Sequence, residues 1–330
     1  MFVSIYSKQF SQYYATRSLT LSESSKKHEL CYLKRFDTYI SESITESNQL
    51  DYDLITSWIA TLSGKSSSIG NEVITIRQFL YYLRASGEIV YIPEIPKVCE
   101  DYIPYIFSDY ELSLIFNAAD NVIQKDKKAD PNLPMEFPVI LRLLYSCGMR
   151  IGETVSIDIS DVDLENGILH LINTKRDKHR LVPMDLDMTA ILKKYSFSMG
   201  LLGKDYGWLF PSGINDGHIS DRAVKRRFET ILKENDIKLK NRKKHERGPC
   251  LHCLRHIFAF KSFAKAESES RHVDDTIPFL SVYLGHESIN ETEKYLKFSN
   301  ELFPESVDAF GSFMKDLLPE VTNYKQSSTF

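Results

Sequence analysis

The sequence contains no long apolar run and few cysteines. No uninterrupted apolar stretch approaches the roughly 18 residues that a membrane-spanning helix needs, and the first residues, MFVSIYSKQF, lack the layout of a signal peptide. The five cysteines form no even disulfide framework, which is typical of proteins in a reducing compartment. We therefore expect a cytoplasmic protein that has no membrane as a partner.

The chain also lacks an excess of positive charge. It carries 41 Lys and Arg against 45 Asp and Glu, for a net charge of −4, whereas nucleic-acid-binding domains are often strongly basic. Net charge describes the whole chain, however, and phosphate contacts depend on local clusters. The segment 238–247, KLKNRKKHER, is such a cluster, although a solvated loop is the alternative interpretation.

Length and periodicity predict two domains. At 330 residues the chain is long enough for two hydrophobic cores. Apolar residues recur at helical spacing over 22–45, 52–63 and 67–85, with Ser66 to Ser68 as the predicted cap of the third helix. Three prolines within 86–106 favour extended chain. The predicted division is an N-terminal arm over 1–18, a helical domain over 19–88, a linker over 89–106, a second domain over 107–300 and a tail over 301–330.

The second domain is predicted to combine helices with a small sheet. Ser108 and Glu111 form a capping-box pattern at the start of one helix. Another helix extends from Pro134 to Gly148, which places Arg150 at the start of the next. Short apolar segments between 157 and 183, broken by DLENG and KRDKH, predict a three-stranded antiparallel sheet. The expected fold class is mainly α with a small antiparallel β-sheet (α+β).

A spaced set of cations precedes one tyrosine near the end of the chain. Arginine forks grip phosphate oxygens, a lysine or histidine hands a proton to a leaving oxygen, and a tyrosine hydroxyl can attack phosphorus. Such a set suits cleavage of a phosphodiester without a metal or cofactor, and we expect neither. The set is Arg150 in GMRIGE, Lys175 in NTKRDKHRLVP, His252 and Arg255 in HCLRH, His286 in LGHES, and Tyr295.

In order and spacing these motifs resemble those of the tyrosine recombinases, also called phage integrases. The matching pieces are R-x-x-E from Arg150 to Glu153, a hairpin lysine before R-L-V-P, H-x-L-R-H, L-G-H, and a tyrosine nine residues past that histidine. The resemblance covers residues 150–295 by motif. The N-terminal part matches only in size and helical character.

The resemblance implies a role for each residue. Tyr295 would attack the phosphorus and form a 3'-phosphotyrosyl link, while Arg150 and Arg255 clamp the phosphate. The other roles implied are a hydrogen bond to the phosphate from His286, protonation of the leaving 5'-oxygen by Lys175, acid–base work by His252, and orientation of the arginine by Glu153. Lys178 remains the local competitor of Lys175.

The resemblance also implies partners. The chain would bind double-stranded DNA in a C-shaped clamp, acting as a monomer in solution or a dimer on a site and as a tetramer in the synaptic complex. Accessory DNA-bending or directionality proteins are further expected partners, and the setting would be a bacterial, nucleoid-associated one. The basic residues expected to contact DNA are Lys34, Arg35, Arg77, Arg222, Lys225, Arg226, Lys238, Lys240, Arg242, Lys243, Lys244 and Arg247.

Several alternatives remain open at this point. A type IB topoisomerase uses similar chemistry, and a DNA-binding regulator could carry an inactive site. A metal-dependent nuclease needs a carboxylate cluster, and none stands out beside these motifs. Cys250 and Cys253 flank His252 at a spacing that also suits zinc or a redox pair, but no second cysteine pair and no βαβ pattern accompany them.

The tail has apolar residues at helical spacing, including Val307, Phe310 and Leu317. It can fold back onto its own core. In recombinases a helix after the nucleophile often docks into the neighbouring protomer, so the resemblance favours an exchanged tail. Integration, excision, transposition of a mobile element and dimer resolution share this chemistry, and the sequence does not choose among them.

Overall fold

The computed structural model describes residues 2–43, 49–98, 103–122, 129–174, 178–242 and 246–302. They fall into two compact units, one ending at residue 98 and one beginning at Ile103. Over these residues, no helix combines the length and apolar character that crossing a membrane requires.

The N-terminal unit is a bundle of helices around an aromatic core. Its helices are α1 (Ser7–Ser18), α2 (Glu23–Ser43), α3 (Tyr52–Thr61) and α4 (Ser66–Ala85). The last three confirm the helices predicted from periodicity. The predicted serine cap of α4 is wrong, because Ser66 is already helical and Lys65 precedes it with no side-chain cap.

Residues 7–18, predicted as part of an arm, form α1 instead. Phe10 is fully buried and stacks on Phe79 of α4, with ring centroids 3.9 Å apart and planes 15° from parallel. Tyr6 and Tyr13 are buried beside it. The aromatic positions 6, 10 and 13 step by four and three residues, so they share one helical face that packs on the bundle.

The C-terminal unit is mostly helical with one small sheet, which confirms the predicted α+β class. Its sheet runs in the order β1-β2-β3, all antiparallel, with Leu169 opposite Val182. Its elements are α5 (Asp109–Asp120), α6 (Leu133–Ser146), α7 (Ile151–Val155), a 3-10 turn (Ile159–Asp161), β1 (Val162–Asp163), β2 (Ile168–Thr174), β3 (Lys178–Pro183), α8 (Leu186–Ser198), α9 (Asp221–Glu234), α10 (His252–Ser268), α11 (Val273–Leu284) and α12 (Ile289–Leu302).

Caps and glycines set the directions of the helices in this unit. The Ser108–Glu111 capping box at the start of α5 is confirmed. Gly148 follows α6 with φ of 58°, and a Cβ there would lie 2.4 Å from the ring of Phe258 on α10. Gly285 ends α11 with φ of 65°. Both turns therefore require glycine, and both lie next to the predicted motifs.

Candidate active site

Arg150 lies at the surface end of a charged network. It is the residue before α7, as predicted, and its Nη1 donates to Glu153 Oε1 at 2.9 Å. Its Nη2 donates to the carbonyl of Gly285 at 3.2 Å. About a third of its side chain is exposed (37%), so a ligand can reach the guanidinium.

Glu153 holds a second arginine in the same network. Arg180 of β3 donates from Nη2 to Glu153 Oε2 at 2.7 Å and from Nη1 to Oε1 at 3.2 Å, a bidentate pair. Burial raises the pKa of Glu153, but the hydrogen bonds and charges of Arg180 and Arg150 outweigh it, so the net pKa is lowered. Glu153 is therefore ionised at neutral pH and orients both arginines.

Arg255 of α10 is almost completely buried, at 1% exposed. Its Nη1 donates to the carbonyl of Gly148 at 2.8 Å and its Nη2 to that of Leu284 at 2.7 Å. It thus ties the end of α6 to the end of α11. Burial, and then the neighbouring charge of Arg150, lowers the pKa of Arg255 to about 10, which leaves it protonated at neutral pH.

Three guanidinium groups lie close together, and the described ion pairs join two of them to a carboxylate. Arg150 and Arg180 pair with Glu153, whereas Arg255 donates to two main-chain carbonyls and forms a hydrogen bond with Tyr295. A buried charge that lacks a counter-ion is costly. The excess of positive charge therefore makes this position suited to an anion from outside the chain.

Three histidines surround the cluster in their neutral form. Burial, followed by the charge of Arg255, lowers the pKa of His252 to about 4 and that of His286 to about 3. Burial, followed by His252, lowers the pKa of His256 to about 3. Bound phosphate would raise these pKa values, because a nearby negative charge favours imidazolium.

Tyr295 of α12 lies against these groups with 5% of its surface exposed. His256 Nδ1 is 3.3 Å from its hydroxyl, and Arg255 forms a hydrogen bond with it. Its ring stacks near that of His286, with centroids 6.1 Å apart and planes at 19°. Burial raises the pKa of Tyr295, and Arg255 and then Arg150 act against that rise.

His286 is held by the same helix as the tyrosine. Gly285 ends α11, so His286 falls in the turn before α12, as predicted. Its Nδ1 lies 2.6 Å from the hydroxyl of Thr292, one turn before Tyr295. The structure thus brings Arg150, Arg255, His286 and Tyr295 together from four separate elements.

Lys175 lies outside the described residues. The hairpin prediction is confirmed on either side of it, since β2 ends at Thr174 and β3 begins at Lys178. Its role as the acid stays a prediction.

Sequence reasoning missed Arg180 and His256 as members of the site. In β3, Leu181 is exposed and Val182 is fully buried, so Arg180 shares the inward face with Val182. A cation on the buried face of a strand was the available signal. His256 follows His252 by one helical turn, so its closeness to that histidine was readable, but its contact with Tyr295 was not.

The predicted DNA contacts that the structure describes are mostly exposed. Arg77 is half-buried and lies over the ring of Tyr81. Three others have acidic partners, Arg35 with Glu72, Lys225 with Asp221 and Lys238 with Asp236. Lys243 and Lys244 lie outside the described residues. The exposed set is Lys34, Arg35, Arg222, Lys225, Arg226, Lys238, Lys240, Arg242 and Arg247.

One of these predicted DNA contacts, Arg247, also influences the histidines of the site. The charge of Arg247 contributes to the lowered pKa of His252 and of His256. Among the described residues, no group of three or more His, Cys, Asp and Glu side chains is arranged to hold a metal ion.

The chain is similar to known proteins in sequence and in fold. Residues 111–301 match the profile of the phage integrase family. The chain is 27% identical over 250 residues to the tyrosine recombinase XerD of Rhizobium meliloti, covering 74% of this chain and 75% of that relative.

Two solved structures are similar in fold. One is the XerH site-specific recombinase bound to palindromic difH substrate in a post-cleavage complex, with a TM-score of 0.65, 18% identity, and coverage of 87% of this chain and 80% of that chain. The other is a lambda integrase tetramer bound to a Holliday junction, with a TM-score of 0.62, 17% identity, and coverage of 86% and 78%. At such identities the likeness concerns the fold.

Proposed function

The chain belongs to the phage integrase family, and is thus a tyrosine recombinase that transfers DNA strands, and we propose that Tyr295 is its nucleophile. The observation that carries this proposal is the position of the Tyr295 hydroxyl. It lies beside Arg255 and His256, in a cluster whose described ion pairs join Arg150 and Arg180 to one carboxylate and give none to Arg255. A phosphodiester supplies the missing negative charge.

The proposed step exchanges one ester for another. The Tyr295 oxygen attacks the phosphorus, the bond from phosphorus to the 5'-oxygen breaks, and a 3'-phosphotyrosyl link remains. The proton of the phenol passes to a neutral histidine, His252 or His256, and Lys175 gives a proton to the leaving 5'-oxygen. Attack by the 5'-hydroxyl of another strand reverses the step, so no external energy source is consumed.

The arginine cluster addresses the weakness of a phenol as a nucleophile. A phenol with a pKa of about 10 is ionised in roughly one molecule per thousand at neutral pH, a handicap of about 4 kcal/mol. Arg255 and Arg150 favour the phenolate and the charge that builds on the phosphate oxygens during attack. His286 donates a further hydrogen bond to the phosphate, and Glu153 orients Arg150.

The burial of Tyr295 adds a requirement. With only 5% of its surface exposed, the ring cannot meet a phosphate in a duplex where it lies. We therefore propose that its side chain shifts when DNA binds, so that the hydroxyl and the phosphate meet beside Arg255.

A trapping assay tests the nucleophile. On a duplex that is nicked next to the cleavage site, the released fragment diffuses away and the covalent protein–DNA adduct accumulates. We expect the adduct with wild type and none with Tyr295→Phe. The matched control is Tyr283→Phe, because Tyr283 also lies near the site, stacked on Phe258. An adduct that persists in Tyr295→Phe contradicts the proposal.

The assembly on DNA is also a proposal. The lambda integrase of similar fold forms a tetramer on a Holliday junction, which supports a dimer of this chain on a site and a tetramer in the synaptic complex. The domain boundaries, the clamp, the DNA contacts and accessory proteins belong to the same proposal. Addition of a four-way junction to the protein, followed by mass measurement, should give a complex with four chains. A type IB topoisomerase would instead relax supercoils without joining two duplexes.

A further inference from the structure

Two cysteines face each other at the start of the helix that carries His252, Arg255 and His256. The sulfur atoms of Cys250 and Cys253 are 3.7 Å apart. The amide of Cys253 donates to the carbonyl of Cys250 at 2.9 Å, which closes a turn that overlaps the first residues of α10. His252, the predicted acid–base residue, lies inside this turn.

The two thiols differ in access. Cys250 is half-buried, whereas Cys253 is fully buried in the core of the C-terminal unit. The hydrogen bond from Cys253 lowers the pKa of Cys250, with contributions from the charge of Arg247 and the amides of His252 and Cys253. Access and pKa thus suit Cys250 to the role of attacking thiolate and Cys253 to that of resolving thiol.

We propose that Cys250 and Cys253 form an oxidation site that takes hydrogen peroxide or an organic hydroperoxide and becomes a disulfide, which switches off DNA cleavage. The Cys250 thiolate attacks the peroxide oxygen, which gives a sulfenic acid and, with a proton, one water or alcohol. The Cys253 sulfur then attacks the Cys250 sulfur, and the second oxygen leaves as water. One peroxide is reduced for each pair of thiols oxidised.

The bond changes the position of the catalytic helix start. The sulfur atoms must move from 3.7 Å to the roughly 2.05 Å of a disulfide. Because Cys253 is fully buried and Cys250 only half-buried, we expect Cys250 to make most of this movement and to pass strain to His252 two residues on. A misplacement of about 1 Å in a catalytic group can cost about 10²-fold in rate. The effect on cleavage rests on the proposed function, whereas formation of the bond does not.

Oxidation of the intact protein tests both parts. The reduced chain is treated with hydrogen peroxide, catalase stops the reaction, and adduct formation is measured on the nicked duplex. Tryptic peptide 248–255 contains both cysteines, so its mass shows directly whether two hydrogen atoms have been lost. We expect this loss together with at least a tenfold fall in cleavage, and dithiothreitol should restore both.

Two variants identify the responsible thiols. Cys250→Ser should cleave like wild type when reduced and should keep its activity after peroxide. Cys31→Ser is the matched control, because Cys31 is exposed and lies in the other unit; it should remain as sensitive as wild type.

Three results would overturn the inference. They are a disulfide in peptide 248–255 with unchanged cleavage, a loss of activity without that disulfide, and equal sensitivity in Cys250→Ser. If the reduced wild type forms no adduct at all, the proposed function fails, and the oxidation site is then judged by the mass of the peptide alone.

Discussion

The two units bury charge in different ways. In the N-terminal unit, buried Glu29 and Glu72 each face one arginine, Arg17 and Arg35, whose side chains are about half exposed. In the C-terminal unit three arginines meet one glutamate, Glu153. Balanced pairs need nothing further to hold a fold. Among the described residues, the excess of guanidinium over paired carboxylate in this cluster suits an anion that binds from outside the chain.

The two units also differ in the pKa of a buried glutamate. Burial raises the pKa of Glu72 more than Arg35 lowers it. Glu153 is similarly buried, yet two arginines lower its pKa. The same residue type thus makes opposite contributions to the pH dependence of stability. Four substitutions test whether this difference is the basis of function.

Removal of the buried Arg255 should have the largest effect on cleavage and should separate the two units most clearly. Arg255→Met keeps an unbranched apolar stem but removes the guanidinium charge and its hydrogen bond to Tyr295. We expect the rate of adduct formation to fall about 10²–10³-fold, the usual cost of one lost transition-state donor. Arg35→Met is the matched variant in the balanced unit, and at saturating DNA it should cleave at close to the wild-type rate.

The folded state of both variants must be compared first, because Arg255 also satisfies the carbonyls of Gly148 and Leu284. A folded Arg255→Met that cleaves within tenfold of wild type would show that the excess charge is not needed.

Much of this architecture was readable from the sequence. Apolar residues at helical spacing predicted α2, α3 and α4, because a helix that packs on one face has apolar residues every three or four positions. The capping box of Ser108 and the turn at Gly285 were local signals of the same kind. The motif positions predicted that Arg150, Arg255, His286 and Tyr295 would meet.

The rest depends on contacts between distant residues. Arg255 bonds the carbonyl of Gly148, which is 107 residues away, and nothing local identifies that partner. The burial of Tyr295 depends on α10 and α11 packing around α12. The N-terminal arm was wrongly predicted because α1 is mainly polar, and three aromatic residues decide where it packs.

Glu153→Gln should have the next largest effect, since it removes the carboxylate that pairs with Arg150 and Arg180. We expect adduct formation to fall about 10–100-fold, because Arg150 and Arg180 lose the group that orients them. Affinity for DNA should not fall, since the positive excess grows. A variant that binds DNA more weakly would argue against this account.

Stability gives a second measurement on Glu153→Gln. The pKa of Glu153 is lowered in the folded state, so its stabilisation is fully present above the unfolded pKa of about 4.3 and is lost as pH falls through the folded pKa. Urea unfolding should therefore show a loss of about 2 kcal/mol at pH 7 and a smaller loss near pH 4.

Gly285→Ala should move Arg180 without changing the charge of the cluster, so it tests geometry separately from charge. A Cβ at Gly285 would lie 2.8 Å from Nη1 of Arg180, and the backbone has φ of 65°. We expect about 1–2 kcal/mol lower stability from the strained backbone and about tenfold slower cleavage, because Arg180 and the adjacent His286 must shift.

Gly200→Ala is the matched control for that variant. Gly200 has φ of 62°, but a Cβ there meets nothing within 4 Å. It should lose a similar amount of stability and keep its cleavage rate. Equal cleavage by the two variants would mean that the position of Arg180 does not matter for the chemistry.

Glu72→Gln should have the smallest effect, and its sign decides the comparison between the units. The folded pKa of Glu72 is raised, so the ionised side chain destabilises the fold, and this cost grows as pH rises above about 4.3 through the folded pKa. Replacement by glutamine should therefore raise stability slightly at pH 7, by less than about 1 kcal/mol because Arg35 still has an acceptor, and should change nothing near pH 4. Cleavage should stay at the wild-type rate.

Urea unfolding of Glu72→Gln and Glu153→Gln at both pH values gives the test, because the two substitutions must move stability at pH 7 in opposite directions. If both lower it, the charge at Glu72 is as well compensated as that at Glu153, and an unbalanced cluster no longer distinguishes the catalytic unit.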